Sequence, residues 1–277
     1  MRELPPSGAA RLTPVTIRRW EVPRGEWREA VADVVAEEYP LSVRCQGQQV
    51  ATLMCTPEYL DELALGFLYS EGFIMRAHDV VEMRMEMQAK RGQVSVTLGA
   101  EAAVRSPSAG KSAAKTVFTG CGQELASAGD RQVPGDWRVP GDLRVAATDI
   151  REMMEVVMQA PLHRASGGTH AAALAKRGSL LCLREDVGRH NAVDKTIGWW
   201  LRQGGTVGGE LLVLTTGRLS SDMVLKAIRL GAPVLVSRAA PTAQGIRLAF
   251  RAGLTLVGFA RAGRMNVYTC PERVVGG

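Results

Sequence analysis

Residues 211–237 read LLVLTTGRLSSDMVLKAIRLGAPVLVS. Leu211–Leu214 is a short unbroken apolar run, the pattern of a strand buried on both faces. A polar stretch follows, and then Val224, Ala227 and Ile228 recur at helical spacing. Gly231 stands where such a helix should stop, and Val234–Val236 is a second apolar run. A helix between two buried strands brings them side by side through a right-handed crossover.

The unit extends in both directions. Leu180–Leu183 and Leu254–Val257 are further apolar runs. Ala192, Val193, Ile197, Trp200 and Leu201 form one intervening helical pattern, and Ile246, Ala249 and Phe250, stopped by Gly253, form another. Ile150, Met153, Met154 and Val157 mark one more amphipathic helix. This alternation predicts an α/β fold, with a mostly parallel sheet covered by helices on both faces, over residues 146–277.

The chain before it reads differently. Residues 1–25, with Pro5, Pro6, Pro14 and Pro23, predict a loose N-terminal arm. Residues 26–145 predict a smaller α+β domain. Leu41–Cys45 and Gln49–Cys55 form a hairpin around Gly47, and Thr56 and Pro57 suit the cap and first position of a helix that Gly72 ends. Val81, Met83, Met85 and Met87 alternate with polar residues as a strand, packed on one face, with Val94–Leu98 as its partner. Gly99–Lys115 reads as a linker, and Ala126–Asp142 as an irregular stretch with two Val-Pro-Gly-Asp turns.

Composition narrows the function. The 277 residues include 34 Lys+Arg against 28 Asp+Glu, a net charge of +6 that favours an anionic partner. Aromatic residues are 5% and no run interleaves them with many cations, so nucleic acid is not the expected partner. No apolar run reaches the roughly 20 residues of a membrane span, and the first residues lack the apolar core of a signal peptide. A cytoplasmic protein is expected. The five cysteines are widely spread with no Cys-x-x-Cys pair, which argues against a disulfide framework or a zinc site.

Ligands of an open α/β sheet bind beyond the carboxyl ends of its strands. Each apolar run here is followed by arginine with Gly, Ser, Thr or Asp: Arg184–Asn191, Thr215–Asp222, Ser237–Arg238 and Phe259–Arg264. Helix N-termini after such turns suit phosphate, and several guanidinium groups on one rim suit a ligand with several phosphates. Ser166–His170 adds a glycine pair and a histidine. Asp186 and His190 could work as acid and base, although Asp at a strand end often only caps a helix. Cys121, flanked by Gly120 and Gly122 in VFTGCGQE (117–124) with Lys115 upstream, has the access expected of a reactive thiol. Cys45, Cys55 and Cys182 lie in strand-like runs and are expected to be buried and inert, while Cys270 is uninformative.

EDVGRHNAVDK (185–195) resembles the most specific motif of the FdhD family, the accessory sulfurtransferases for formate dehydrogenase. The resemblance continues through TPEYLDELALGFLYSEGFI (56–74), FTGCG (118–122), GGTHAAAL (167–174), TTGRLSSDMVLKA (215–227) and GFARAGRMNVYT (258–269). It implies a cytidine-deaminase-like three-layer α/β/α core with an added smaller domain. It also implies that Cys121 accepts persulfide sulfur from a cysteine desulfurase. The sulfur would pass to the molybdenum cofactor, as bis-molybdopterin guanine dinucleotide, before insertion into formate dehydrogenase. GDP-like nucleotides should mimic that ligand. Phe259, Ala260, Arg261, Ala262, Gly263 and Arg264 match the family's cofactor-binding segment; Gly168, Thr169, His170, Asp186, His190, Ser220 and Ser221 complete the expected set, with no metal ligands. A homodimer is expected.

The match departs at Glu124, where many members carry the second thiol of a Cys-x-x-Cys. One sulfur can still carry a persulfide, but a two-cysteine relay is missing. A non-catalytic cofactor chaperone is therefore the alternative, and a hydrolase built on Cys121, His190 and Asp186 is a third reading.

Overall fold

The computed structural model describes residues 11–105, 137–261 and 263–276. β1 (Leu12–Glu21) and β2 (Glu26–Ala36) pair antiparallel as a two-stranded ribbon. The loose arm expected over 1–25 is thus a strand from residue 12 onward, and the expected boundary falls in the ribbon's turn. Pro14 lies within β1, which a ribbon tolerates because each strand has one unpaired edge. Trp20 and Trp27 are cross-strand partners with ring centroids 5.3 Å apart, edge to face. They supply contact that a ribbon without its own core otherwise lacks.

β3 (Tyr39–Cys45) and β4 (Gln48–Cys55) form the expected hairpin. Gln46 and Gly47 both have positive φ, as a tight two-residue turn requires. α1 (Leu60–Glu71) follows and ends at Gly72, whose φ of 82° closes the helix. α1 starts at Leu60, not Pro57, because Thr56 is engaged elsewhere. β5 (Val80–Gln88) and β6 (Arg91–Leu98) complete a four-stranded sheet in the order β4-β3-β6-β5. Met83 and Met87 pack on the core but Met85 is exposed, so only part of the predicted face is covered. α2 (Ala100–Arg105) closes this part of the chain. Lys115, Cys121, Glu124 and the first Val-Pro-Gly-Asp turn fall outside the described residues.

β7 (Val145–Ala146) leads into α3 (Ala147–Met158) and α4 (Pro161–Ser166). Then come β8 (His170–Lys176), β9 (Ser179–Asp186), α5 (Arg189–Arg202), β10 (Leu211–Thr215), α6 (Ser221–Leu230), β11 (Val234–Ser237), α7 (Ala243–Ala252), β12 (Thr255–Arg261) and β13 (Arg264–Thr269). β8 to β13 build one six-stranded sheet, in the order β13-β12-β11-β10-β8-β9. A short β14 (Val274–Val275) pairs with β7.

The α/β architecture is as expected, but the sheet is mixed. Parallel pairing is confined to β10–β11–β12, while β8–β9, β10–β8 and β12–β13 are antiparallel. The difference comes from Ala171–Ala175. Alanine has weak strand preference, yet this run forms β8, inserted between β9 and β10, and its four alanines and Leu174 are fully buried. α5 packs on one face of β8 and α3 on the other, and small side chains let both helices approach.

Alternation along β10 separates the layers. Leu211 and Val213 join α5, α6 and α7, whereas Leu212 and Leu214 join Ile150, Met153, Met154 and Val157 of α3. The result is a three-layer α/β/α core. The smaller sheet does not have a core of its own: Leu41, Val43 and Leu63 belong to the same buried cluster as Ile197 and Val224. The junction is α1 against α5. A Cβ on Gly66 would sit 1.8 Å from the Asp194 carbonyl oxygen, and one on Gly198 1.9 Å from that of Glu62. The two helices touch backbone to backbone.

Candidate functional site

The buried ends of β4 and β9 meet through Asp186. Its carboxylate is wholly buried beside Lys195, also wholly buried, at 2.6 Å. Oδ2 also accepts the Thr56 N–H, and Oδ1 accepts the Gly188 N–H and Asn191 Nδ2. Lys195 Nζ donates to the Thr56 and Glu185 carbonyls, Asn191 Nδ2 reaches the Met54 carbonyl, and Val187 N–H donates to Thr56 Oγ1. The 185–195 motif therefore works as a buckle between the small sheet and the large one. Each Asp186 oxygen already has two partners, so this residue offers nothing to a ligand and does not orient His190 as a hydrolase would need. It is neither cap nor ligand group but an internal tie, since α5 has Gly188 at its N-cap and no side-chain cap.

Glu185 is also engaged: its carboxylate accepts the Leu162 and His163 N–H groups and anchors the start of α4. That places His163 Nδ1 2.6 Å from the Thr169 carbonyl. Thr169 leads into β8, where His170 Nδ1 lies 3.3 Å from Thr216 Oγ1, just beyond β10. At the same end of the sheet α5 opens with Arg189 and His190, and α6 opens after Ser220. Gly217 lets the first meet the second, since a Cβ there would stand 2.7 Å from Arg189 Cβ. Gly168 is exposed, close to Ala36 of the ribbon, and Ser221 occupies the first position of α6.

Burial lowers the His170 pKa below the usual value, with Arg189, His163 and Arg218 adding to it against Asp186. Burial, followed by Lys226, Arg189, His170 and Arg218, pushes His190 down to about 3. The imidazole of His190 is therefore neutral at pH 7. Between pH 6.5 and 3 the unfolded chain binds a proton here that the folded protein does not. Stability from this group is thus complete above pH 6.5 and is lost as pH falls towards 3. At pH 5 the loss should be about 2 kcal/mol. Urea unfolding of wild type and His190→Gln at pH 7 and pH 5 checks it: a wild-type curve as flat as the variant's would refute it.

The 259–264 segment lies at the end of β12. Phe259 has a φ of 51° and its N–H donates to the Ala239 carbonyl. This kink leaves Ala260 buried and Arg261 exposed, with Gly263 in the turn and Arg264 opening β13 opposite Arg261; Ala262 lies outside the described residues. Ala260 and Arg261 border a groove of about 270 Å³, with Arg238 after β11, Met265, and Arg151, Met154 and Met158 of α3. Arg151 is paired with Glu152 and Glu155, whereas Arg238 and Arg261 have no acidic partner among the described residues. The arginine-bearing ends lie at one edge of the sheet, as expected: Arg238 N–H donates to the Thr215 carbonyl and Ser237 Oγ to that of Gly217, which joins the groove's loop to the turn that precedes α6. The α3 residues had no signal in the sequence, because a helix face shows what it packs on only after folding.

Cys45, Cys55 and Cys182 are buried. Burial raises all three thiols, Cys45 and Cys182 to about 11 and Cys55 well above its ordinary value. They carry little thiolate at neutral pH. Cys270 is partly exposed. No cluster of three metal-ligating side chains and no helix suited to crossing a membrane occurs among the described residues.

Residues 36–275 match the FdhD/NarQ family. The sulfur carrier protein FdhD of Shouchella clausii is 35% identical over 261 residues, covering 92% of this chain and 94% of that protein. That of Cupriavidus necator is 36% identical over 280 aligned positions, covering 98% and 95%. The crystal structure of a candidate formate dehydrogenase accessory protein from Desulfotalea psychrophila superposes with a TM-score of 0.71 at 28% identity, over 95% of this chain and 98% of that one.

Proposed function

This chain belongs to the FdhD/NarQ family, and from that premise we propose that it is a sulfur carrier for formate dehydrogenase, a sulfurtransferase acting through Cys121. It takes persulfide sulfur from a cysteine desulfurase and passes it to the molybdenum cofactor in its bis-guanine-dinucleotide form. The observation that carries the reading is end-to-end similarity to proteins named as sulfur carriers. Two features support it. Three of the other four cysteines are buried with raised pKa values, and the groove beside Arg238 and Arg261 offers unpaired guanidinium groups to a diphosphate.

In the loading step the Cys121 thiolate attacks the terminal sulfur of the donor persulfide. One S–S bond forms on Cys121, the donor's S–S bond breaks, and the donor thiolate leaves, with no net change in oxidation state. In delivery the bond on Cys121 breaks and the thiolate is restored. The acceptor supplies the two electrons that turn sulfane sulfur into sulfide. No second cysteine is required, which fits Glu124 at the alternative position.

Incubation with a desulfurase and cysteine should add one sulfur atom to Cys121, read by peptide mass spectrometry, and Cys121→Ala should abolish it. Sulfur found only on another cysteine, or none, overturns the carrier role. Full activation of formate dehydrogenase by Cys121→Ala would favour the chaperone reading. GDP should bind more tightly than ADP, with Arg261→Ala weakening it about tenfold for the loss of a charged contact. A cytoplasmic homodimer belongs to the same proposal, and sedimentation should give about twice the chain mass of 29.8 kDa.

A further inference from the structure

The ribbon of β1 and β2 stands apart from both larger sheets. Its root is fastened: Ala36 lies beside Gly168, and Arg11 bonds to Glu58. Beyond Ile17 and Val31 it runs into solvent, and every residue from 18 to 30 except Glu21 is exposed. No ribbon residue belongs to either buried apolar cluster. A two-stranded hairpin without cover is marginally stable in water, so a ribbon with strands of 10 and 11 residues needs something on at least one face.

The two faces differ. On one, Arg18 donates to Glu29 on the opposite strand, and its guanidinium lies over Trp27, which meets Trp20 edge to face. Opposite charges are matched there, and the rings are held by that face's own contacts. On the other face Arg19 is the register partner of Arg28, and two residues further out Glu21 is the partner of Glu26. Like charges directly opposite each other are destabilising. They are offset only by diagonal contacts of 3.4–3.8 Å, from Arg24 and Arg28 to Glu21, Arg24 to Glu26 and Arg19 to Asp33. Exposed ion pairs of this kind contribute little. This face thus carries a cationic row and an acidic row side by side.

Such a pattern suits one occupant, the same face of a second copy. A two-fold axis lying across the strands at Trp20 and Trp27 turns the second ribbon end for end. It sets the acidic row of each copy on the cationic row of the other, as an isologous contact requires. The same operation brings the exposed Val22 at each ribbon's tip towards the half-buried Ile17 and Val31 of the other. Residues 11–37 hold five arginines and five carboxylates, so two ribbons do not repel although the whole chain is cationic. We infer that the face bearing Arg19, Glu21, Glu26 and Arg28 is an interface between two copies of this chain. The inference deepens the homodimer proposed above and rests on it.

Sedimentation of the full chain tests it. Arg19→Glu/Arg28→Glu makes both rows acidic, and Glu21→Arg/Glu26→Arg makes both basic. Each variant should self-associate at least about tenfold more weakly than wild type, since juxtaposed like charges oppose association. An equimolar mixture of the two should associate again, because an acidic face then meets a basic one. Misfolded chains would not regain association, and a wild-type urea midpoint shows separately that each variant keeps its core. Self-association unchanged in both variants, or no recovery in the mixture, overturns the inference and leaves a dimer through another surface. A monomeric wild type overturns the dimer as well; if it then binds formate dehydrogenase and both variants lose that binding, the face belongs to that partner. Sulfur loading on Cys121 is read separately, so the carrier reading stands or falls apart from these results.

Discussion

Lys195→Ala is expected to destabilise the protein by about 3–5 kcal/mol, the cost of leaving a buried charge without its partner. Asp186 and Lys195 are both wholly out of solvent and 2.6 Å apart. Removing the ammonium leaves the carboxylate with three hydrogen bonds and no counter-charge, and strips a donor from the Thr56 and Glu185 carbonyls. The damage should spread, because Thr56 belongs to the small sheet and Glu185 to the large one. The double variant Asp186→Asn/Lys195→Met removes both charges and should recover much of the loss. Urea unfolding followed by circular dichroism tests this; a loss under about 1 kcal/mol for Lys195→Ala would show the pair to be energetically idle.

Gly66→Ala and Gly198→Ala should each destabilise by about 3 kcal/mol or more, the range of a severe overpacking change. In an ordinary helix interior the same replacement gains up to about 1 kcal/mol, because alanine is the better helix former. The sign reverses here because each new methyl would lie under 2 Å from a carbonyl oxygen of the facing helix. Relief requires α1 and α5 to separate. That would stretch the contacts bridging them and their neighbours, including Glu62 to Arg184 and Ser70 to Asp194. If either variant unfolds at the wild-type urea midpoint or above it, the backbone contact is wrong.

These two expectations concern the least legible part of the sequence. Gly66 and Gly198 sit inside strong helical patterns and give no local sign that they are an interface. Asp186 and Lys195 lie in a motif that looks chemical, yet the two prove to be a structural buckle. The division into two domains fared similarly. Composition changes near residue 146, but the apolar cluster runs through both sheets.

What the sequence determined alone was whatever depends on short-range physics. Apolar runs gave β9 to β12, helical spacing gave α3, α5, α6 and α7, and Gly72, Gly231 and Gly253 stopped helices by taking positive φ. Buried, inert cysteines followed from their strand-like surroundings. What only the tertiary structure decided was pairing across distance. The alanine-rich run 171–175 became an antiparallel strand inside the sheet because two helices needed to close on it. The pairing of Arg238 and Arg261 with Met154 and Met158 of α3 around one groove was likewise set by packing, because no local pattern records which helix closes over a strand end.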